Sequence, residues 1–160
     1  APETASEFNY HDQLNYPQNS LGIADILANL PKGINDFAIT DTVSAHIFYG
    51  LFDDFEPGNI NADYIFHDAF SPGANPELWT LESFAKLKNW SSKEAILTTY
   101  SAASKAQGAL AAAGWKVAKT TGALGKREMI VASPAADRLA ELKRIDEERY
   151  ARRYKQGDFD

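Results

Sequence analysis

The chain has no cysteine, which excludes disulfides and thiolate metal sites. Its three histidines, His11, His46 and His67, are scattered without metal-ligand spacing. Its longest apolar runs fall far short of the ~20 residues a membrane helix needs. Its first residues, Ala1-Pro2-Glu3-Thr4, lack the basic and apolar regions of a signal peptide. The expectation is a soluble, cytoplasmic protein without metal. Basic residues are scarce in the first half. Residues 1–80 carry Lys32 alone against twelve Asp and Glu, a balance of −11. Residues 81–160 carry fifteen Lys and Arg against ten acids, a balance of +5. A chain that is net acidic at −6 can still meet a polyanion through its basic half. The other reading of that half is a solvated helical surface.

What is present suffices for a domain with a real core: 160 residues, 44% of them hydrophobic. The central stretch is Asp63-Tyr64-Ile65-Phe66-His67-Asp68-Ala69-Phe70-Ser71-Pro72. Tyr64–Phe66 is a short β-favouring run that stops at His67-Asp68. Ser71, Pro72, Gly73, Asn75 and Pro76 then take the chain out of the sheet. In open α/β sheets, ligands sit beyond the carboxyl ends of the strands. Asp68 at such an end is a candidate site carboxylate. It can equally cap the loop by accepting backbone N–H groups.

Around this stretch the periodicities predict an α/β alternation. Residues 1–19 read as an irregular lead-in. Ser20 can cap a helix running to Leu30, ended by Pro31 and Gly33. Phe37–Thr40 and Val43–Tyr49 read as a hairpin around Asp41-Thr42. Thr80 can cap a helix carrying Leu81, Phe84 and Leu87 on one face. Ser91–Lys93 reads as a turn and Ala95–Tyr100 as a strand. An Ala-rich helix follows to about Ala113, with Gly114 suited to its C′ position. Trp115–Thr120 and Lys126–Ala132 are the last strands. Pro134 opens a final helix with a thin stripe, Leu139, Leu142 and Ile145. Arg144–Glu148 and Glu148–Arg152 are spaced for i,i+4 pairs on it. The pattern divides into 1–36 (lead-in and helix), 37–133 (α/β region) and 134–160 (charged helix). From residue 60 to 132 it reads as the second half of a doubly wound sheet closed by an antiparallel hairpin.

Several blocks carry a family resemblance. They are His67-Asp68-Ala69-Phe70-Ser71-Pro72 with Asn75-Pro76-Glu77-Leu78-Trp79, Phe84 and Leu87; Leu97-Thr98-Thr99-Tyr100-Ser101-Ala102-Ala103; Leu110–Trp115; and Gly122-x-x-Gly125-Lys126-Arg127-Glu128-Met129. Together they resemble the S-adenosylmethionine-dependent methyltransferase that completes 5-methylaminomethyl(-2-thio)uridine at the tRNA wobble position. The resemblance spans residues 37–133 and leaves out the charged tail. It implies a Rossmann-like class I methyltransferase fold and methyl transfer to an aminomethyl nitrogen. It implies S-adenosylmethionine as donor, tRNA as partner, and a flavin oxidase domain or upstream segment as a further one. In that family a strand running into a Gly-x-Gly loop holds the donor. Here Gly22 and Gly33 are the only glycines before residue 50, and neither follows an expected strand. The N-terminal cofactor-binding part of the fold is therefore expected to be missing, and this chain alone is expected to bind the donor weakly or not at all.

The resemblance implies the roles of Asp68 and of the cofactor side, and the chemistry of base stacking and phosphate binding suggests those of the substrate side. Asp68 is the catalytic carboxylate. Phe70, Pro72, Trp79, Tyr100, Lys126 and Arg127 are on the substrate side, with Ser101 beside Tyr100. Gly50, Asp53, Asp54 and His67 are on the cofactor side. Besides the loop cap for Asp68, three have an alternative: core packing for Phe70 and Trp79, and pairing with Glu128 or another acid for Arg127. Two other functions stay open at this point. One is a non-catalytic RNA- or protein-binding remnant of the same domain; the other is a methyltransferase with a different small-molecule acceptor.

Overall fold

The computed structural model describes residues 29–122 and 128–159. The helix expected from Ser20, apart from its last two positions, lies outside them. So do Gly125, Lys126 and Arg127. The chain forms two compact units, residues 1–56 and 57–160.

In the first unit, β1 (Gly33–Ala38) and β2 (Ser44–Tyr49) pair antiparallel, with Asp36 opposite His46. The expected hairpin is there, and its first strand starts earlier than Phe37. Asn35 explains the extension: its side-chain amide donates to the carbonyls of Gly33 and Ile47, across the pair. The turn closes through Ile39 N–H to the Val43 carbonyl at 2.8 Å. Gly50 leaves β2 and a 3-10 turn follows at Phe52–Asp54.

The second unit is built on a five-stranded sheet of order β3-β4-β6-β5-β7. Its strands are β3 (Ala62–Phe66), β4 (Ser91–Thr99), β5 (Lys116–Thr120), β6 (Met129–Ser133) and β7 (Lys143–Arg144). β3 and β4 are parallel. β6 lies antiparallel between β4 and β5, so the final hairpin inserts into the sheet. Helices α1 (Leu81–Asn89) and α2 (Ser104–Ala112) form the two crossovers. α1 starts as its sequence dictates: the Thr80 side chain accepts from Ser83 N–H, a cap that contributes about 1 kcal/mol. α2 ends at Gly114, whose φ of +84° is the left-handed conformation glycine adopts without a Cβ penalty.

One core holds these elements together. Leu97, Ala132 and Val117 stand in register across three neighbouring strands and are all buried. Phe84 from α1 and Ala106, Ala109 and Leu110 from α2 cover them, with Trp79 and Trp115 at the sides. Two expectations need correction. Ser91–Lys93 is strand, not turn, because Ser91 is already in register with Ala62 of β3. Pro134 opens no helix. Asp137–Leu139 is a 3-10 turn, and β7 then pairs with the edge of β5. The free backbone groups of β5 win this segment: Ile145 N–H also donates to the Val117 carbonyl at 3.0 Å. The last helix, α3, runs only over Glu147–Lys155, capped by Asp146. Arg144 pairs with Glu147 rather than with Glu148.

α3 packs against α2, and Gly108 makes this possible. A Cβ there would stand 2.8 Å from a Phe159 ring carbon and 2.9 Å from the Tyr154 Cβ. Tyr154 is partly buried against the core, and its hydroxyl accepts from Leu81 N–H at 3.3 Å.

Candidate active site

The sheet delivers Asp68 to the end of β3. His67 N–H donates to the Thr98 carbonyl at 2.9 Å, extending the parallel pairing one residue beyond the strand. Asp68 is the next residue and is exposed. β4 ends alongside and brings Tyr100. An open cleft of about 300 Å³ is lined by Asp68, Ala69, Phe70 and Tyr100.

The loop over this cleft is tied down from below. The Tyr100 hydroxyl donates to the Ala69 carbonyl at 2.8 Å. The Trp79 indole N–H donates to the Phe70 carbonyl at 2.7 Å. Beyond them, Ala74 and Asn75 N–H both donate to the Ser71 carbonyl. Two consecutive carbonyls are thus fixed by two aromatic side chains of the framework. The Phe70 ring is left outside, 77% exposed. Phe70 is therefore an immobilised backbone presenting a free aromatic face next to a carboxylate.

Trp79 itself is 1% exposed and lies beneath the loop. Its ring meets those of His67, Phe84 and Tyr100 edge-on, the His67 centroid 4.6 Å away. Trp79 thus supports the cleft from the core side, and its ring does not line it. His67 also points inward, its ring between Trp79 and Phe84. Burial pushes its imidazole below the ordinary value, against the opposing influence of the Leu78 backbone and the Asp68 carboxylate. His67 is accordingly neutral at pH 7. Its Nε2 is buried with no hydrogen-bond partner among the described residues.

Pro72 is half-buried in the loop and Ser101 is buried at the end of β4. The structure therefore groups Asp68, Phe70 and Tyr100 around one cleft, with Trp79 and His67 under it. Gly50, Asp53 and Asp54 belong to the first unit. Lys126 and Arg127 lie outside the described residues. No group of three or more His, Asp or Glu side chains among the described residues is placed to hold a metal ion. No described helix is long and apolar enough to cross a membrane.

Sequence reasoning missed the contribution of the tail. Tyr154 reaches the N-terminus of α1 two residues from Trp79. Glu147 accepts from Val117 N–H at the start of β5, at 3.1 Å. The signal was Tyr150-Ala151 followed by Tyr154, an apolar patch at i,i+4 within the charged run.

The family model for S-adenosyl-L-methionine-dependent methyltransferases matches residues 20–135. The tRNA 5-methylaminomethyl-2-thiouridine biosynthesis bifunctional protein MnmC of Aromatoleum aromaticum is 44% identical over 68 residues. That stretch covers 42% of this chain and 11% of the relative. The MnmC protein of Campylobacter fetus subsp. fetus is 30% identical over 96 residues, covering 59% of this chain and 16% of the relative. The crystal structure of MNMC2 from Aquifex aeolicus superposes with a TM-score of 0.59 at 27% identity. It matches 88% of this chain, which spans 44% of that one. The chain thus corresponds to a minor part of each relative's length. The mixed sheet with its inserted antiparallel strand is the Rossmann-like class I arrangement. With the family model matching more than two thirds of its residues, the chain belongs to the S-adenosyl-L-methionine-dependent methyltransferases.

Proposed function

We propose that this chain serves methyl transfer from S-adenosylmethionine to the aminomethyl nitrogen of a modified wobble uridine in tRNA. The observation that carries the reading is the cleft: an exposed carboxylate, Asp68, beside an exposed ring, Phe70, on a loop tied down by Trp79 and Tyr100. The relatives' names supply the acceptor class.

The chemistry sets the requirements. A free alkylamine is mostly protonated near pH 7, and only its neutral form carries the attacking lone pair. A carboxylate beside it can accept an N–H, aim that lone pair and take up the released proton directly or through water. Asp68 has this role. An RNA base must leave its stack to enter a protein cleft, and an exposed aromatic face then holds it. Phe70 provides that face. Tyr100 fixes the backbone between them by holding the Ala69 carbonyl. Holding the nitrogen within about 3–3.5 Å of the carbon it attacks is the main contribution the protein makes to such a displacement. Trp79 maintains that spacing from below. Lys126 and Arg127 are assigned to tRNA phosphate.

The methyl donor supplies the electrophilic carbon. Gly50, Asp53 and Asp54 fit its adenosine end in kind: a glycine at a strand end, then two carboxylates able to accept ribose or adenine donors. A flavin oxidase domain acting on the same tRNA is the partner implied for the full pathway.

The test is acceptor-dependent labelling. The chain, donor carrying a labelled methyl group, and tRNA with or without the aminomethyl group are incubated together. Label in the modified wobble nucleoside, absent from tRNA lacking the amine, is expected. Equal labelling of both tRNAs, or of neither at a donor concentration that calorimetry shows to saturate the chain, would overturn the acceptor assignment.

A further inference from the structure

α3 lies beyond residues 20–135 that the family model matches, yet it is anchored at two points of the sheet. At its start, Glu147 accepts from Val117 N–H at the beginning of β5. Near its end, the Tyr154 hydroxyl accepts from Leu81 N–H, just after the loop that carries Trp79. β3, β4 and β5 all run toward the Asp68 end. α3 therefore travels along the unit from the far end of the sheet to the end where the cleft opens.

Its side chains divide by role. Ala151 and Tyr154 are half-buried; Tyr154 packs against the core, and Gly108 of α2 gives it and Phe159 room. Two cations of the segment are already committed. Arg144 holds Glu147 through both of its carboxylate oxygens. Arg153 pairs with Asp158 at 3.0 Å and lies over the Phe159 ring. Arg149, Arg152 and Lys155 are different. All three are exposed, and none pairs with a carboxylate among the described residues. They repeat every third residue, so they follow one side of the helix over about 9 Å at 1.5 Å per residue. Seven consecutive residues, Arg149–Lys155, carry four positive charges and no acid in a chain of net charge −6.

Unpaired cations on a rigid helix are pre-organised for a polyanion. One nucleic-acid strand carries a negative charge every ~3.4 Å along a duplex, so 9 Å spans two or three phosphates. We propose that the outer face of α3, through Arg149, Arg152 and Lys155, is a docking strip for an RNA phosphate backbone leading toward the Asp68 cleft; this rests on the tRNA reading above. Arg suits this task because its guanidinium bonds phosphate through two N–H groups at once. The strip makes no base contacts and reads no sequence. It extends the footprint beyond the cleft and leaves recognition of the modified base to Phe70 and Asp68.

The probe is an unmodified tRNA transcript, which lacks the aminomethyl group. Its binding to the full chain is followed by fluorescence anisotropy from 50 to 200 mM salt. The variant replaces Arg149, Arg152 and Lys155 by Ala, a strong helix former, and unchanged circular dichroism verifies its fold. The expected result is a salt slope lower by about two to three units and an affinity at least about tenfold weaker. Arg144→Gln, which removes a cation already engaged by Glu147, should leave the slope unchanged. The proposal is overturned if the parent chain does not bind the transcript or the triple variant keeps the parent slope. It is equally overturned if Arg144→Gln lowers the slope as much as the triple change, since overall charge would then be the cause. Transcript binding does not depend on the acceptor. Intact, α3-dependent binding with no labelling of amine-bearing tRNA at a saturating donor concentration would therefore sink the acceptor reading and leave the docking strip standing.

Discussion

Replacing Trp79 by Phe should uncouple the cleft loop from the core without destroying the fold. The substitution keeps an aromatic ring against His67, Phe84 and Tyr100 but deletes the indole N–H that holds the Phe70 carbonyl at 2.7 Å. Loss of that hydrogen bond costs about 1 kcal/mol net. The smaller ring leaves roughly 40 Å³ unfilled in a site that is 1% exposed; at ~24 cal/mol per Å³ this adds about 1 kcal/mol. The sum, about 2 kcal/mol, should lower the urea midpoint by roughly 1 M at ordinary slopes, followed by far-UV circular dichroism. Trp115→Phe is the matched control. It loses an equivalent bond, from its indole N–H to the Phe84 carbonyl at 2.9 Å, in an equally buried place away from the loop. Both variants should lose similar stability. Only Trp79→Phe should speed chymotryptic cleavage after Phe70, whose side chain is already exposed and whose backbone is what the bond restrains. An unchanged midpoint together with unchanged cleavage would refute the idea that Trp79 holds the loop.

Further outcomes follow from the packing and the buried charges. Gly108→Ala gains helix propensity worth up to about 1 kcal/mol but forces its Cβ against Tyr154 and Phe159; overpacking of about 1–3 kcal/mol should win, giving a lower urea midpoint. His67 has a folded-state value below its unfolded one, so the unfolded chain binds the proton more readily. Its contribution is therefore complete above about pH 6.5 and lost as pH falls below that. His67→Phe should flatten the stability profile in that window, by at most ~1.4 kcal/mol per pH unit. Burial opposes ionisation of Glu147, but Arg144 and the Val117 N–H outweigh it and hold the carboxyl below its usual value. Its stabilisation is present above the ordinary glutamate range and lost as pH falls through the lowered one. Glu147→Gln should lower the thermal midpoint at pH 7 and leave it less dependent on acid.

The central strand and its abrupt end at His67-Asp68 were legible because apolar residues give way at one point to turn formers. The helix capped by Thr80 and the glycine after α2 were legible because cap chemistry is local. The tail was misread because its outcome is decided at a distance. Leu139, Leu142 and Ile145 have helical spacing, but the unpaired edge of β5 draws Lys143-Arg144 into the sheet. The same edge shortens the last helix. The inward turn of His67 was also hidden: a histidine at a strand end reads like a site residue, and only the aromatic cage of Trp79 and Phe84 shows where its ring goes. Lys126 and Arg127, central to the sequence argument, lie outside the described residues. The grouping of Asp68, Phe70 and Tyr100 needed the register of β3 on β4, which residue spacing alone does not give.

The most direct test of the account is the dependence of methyl transfer on the Asp68 carboxylate. Asp68→Asn keeps the size and exposure of the side chain and removes its charge and proton-accepting power. Parent and variant are compared on tRNA bearing the aminomethyl group, at a donor concentration that calorimetry shows to saturate both, and the wobble nucleoside is recovered and weighed. The account predicts a one-methyl mass gain with the parent and a rate about 10²–10⁴-fold lower with the variant, at unchanged stability. Comparable methylation by both proteins would contradict it and reduce Asp68 to a loop cap.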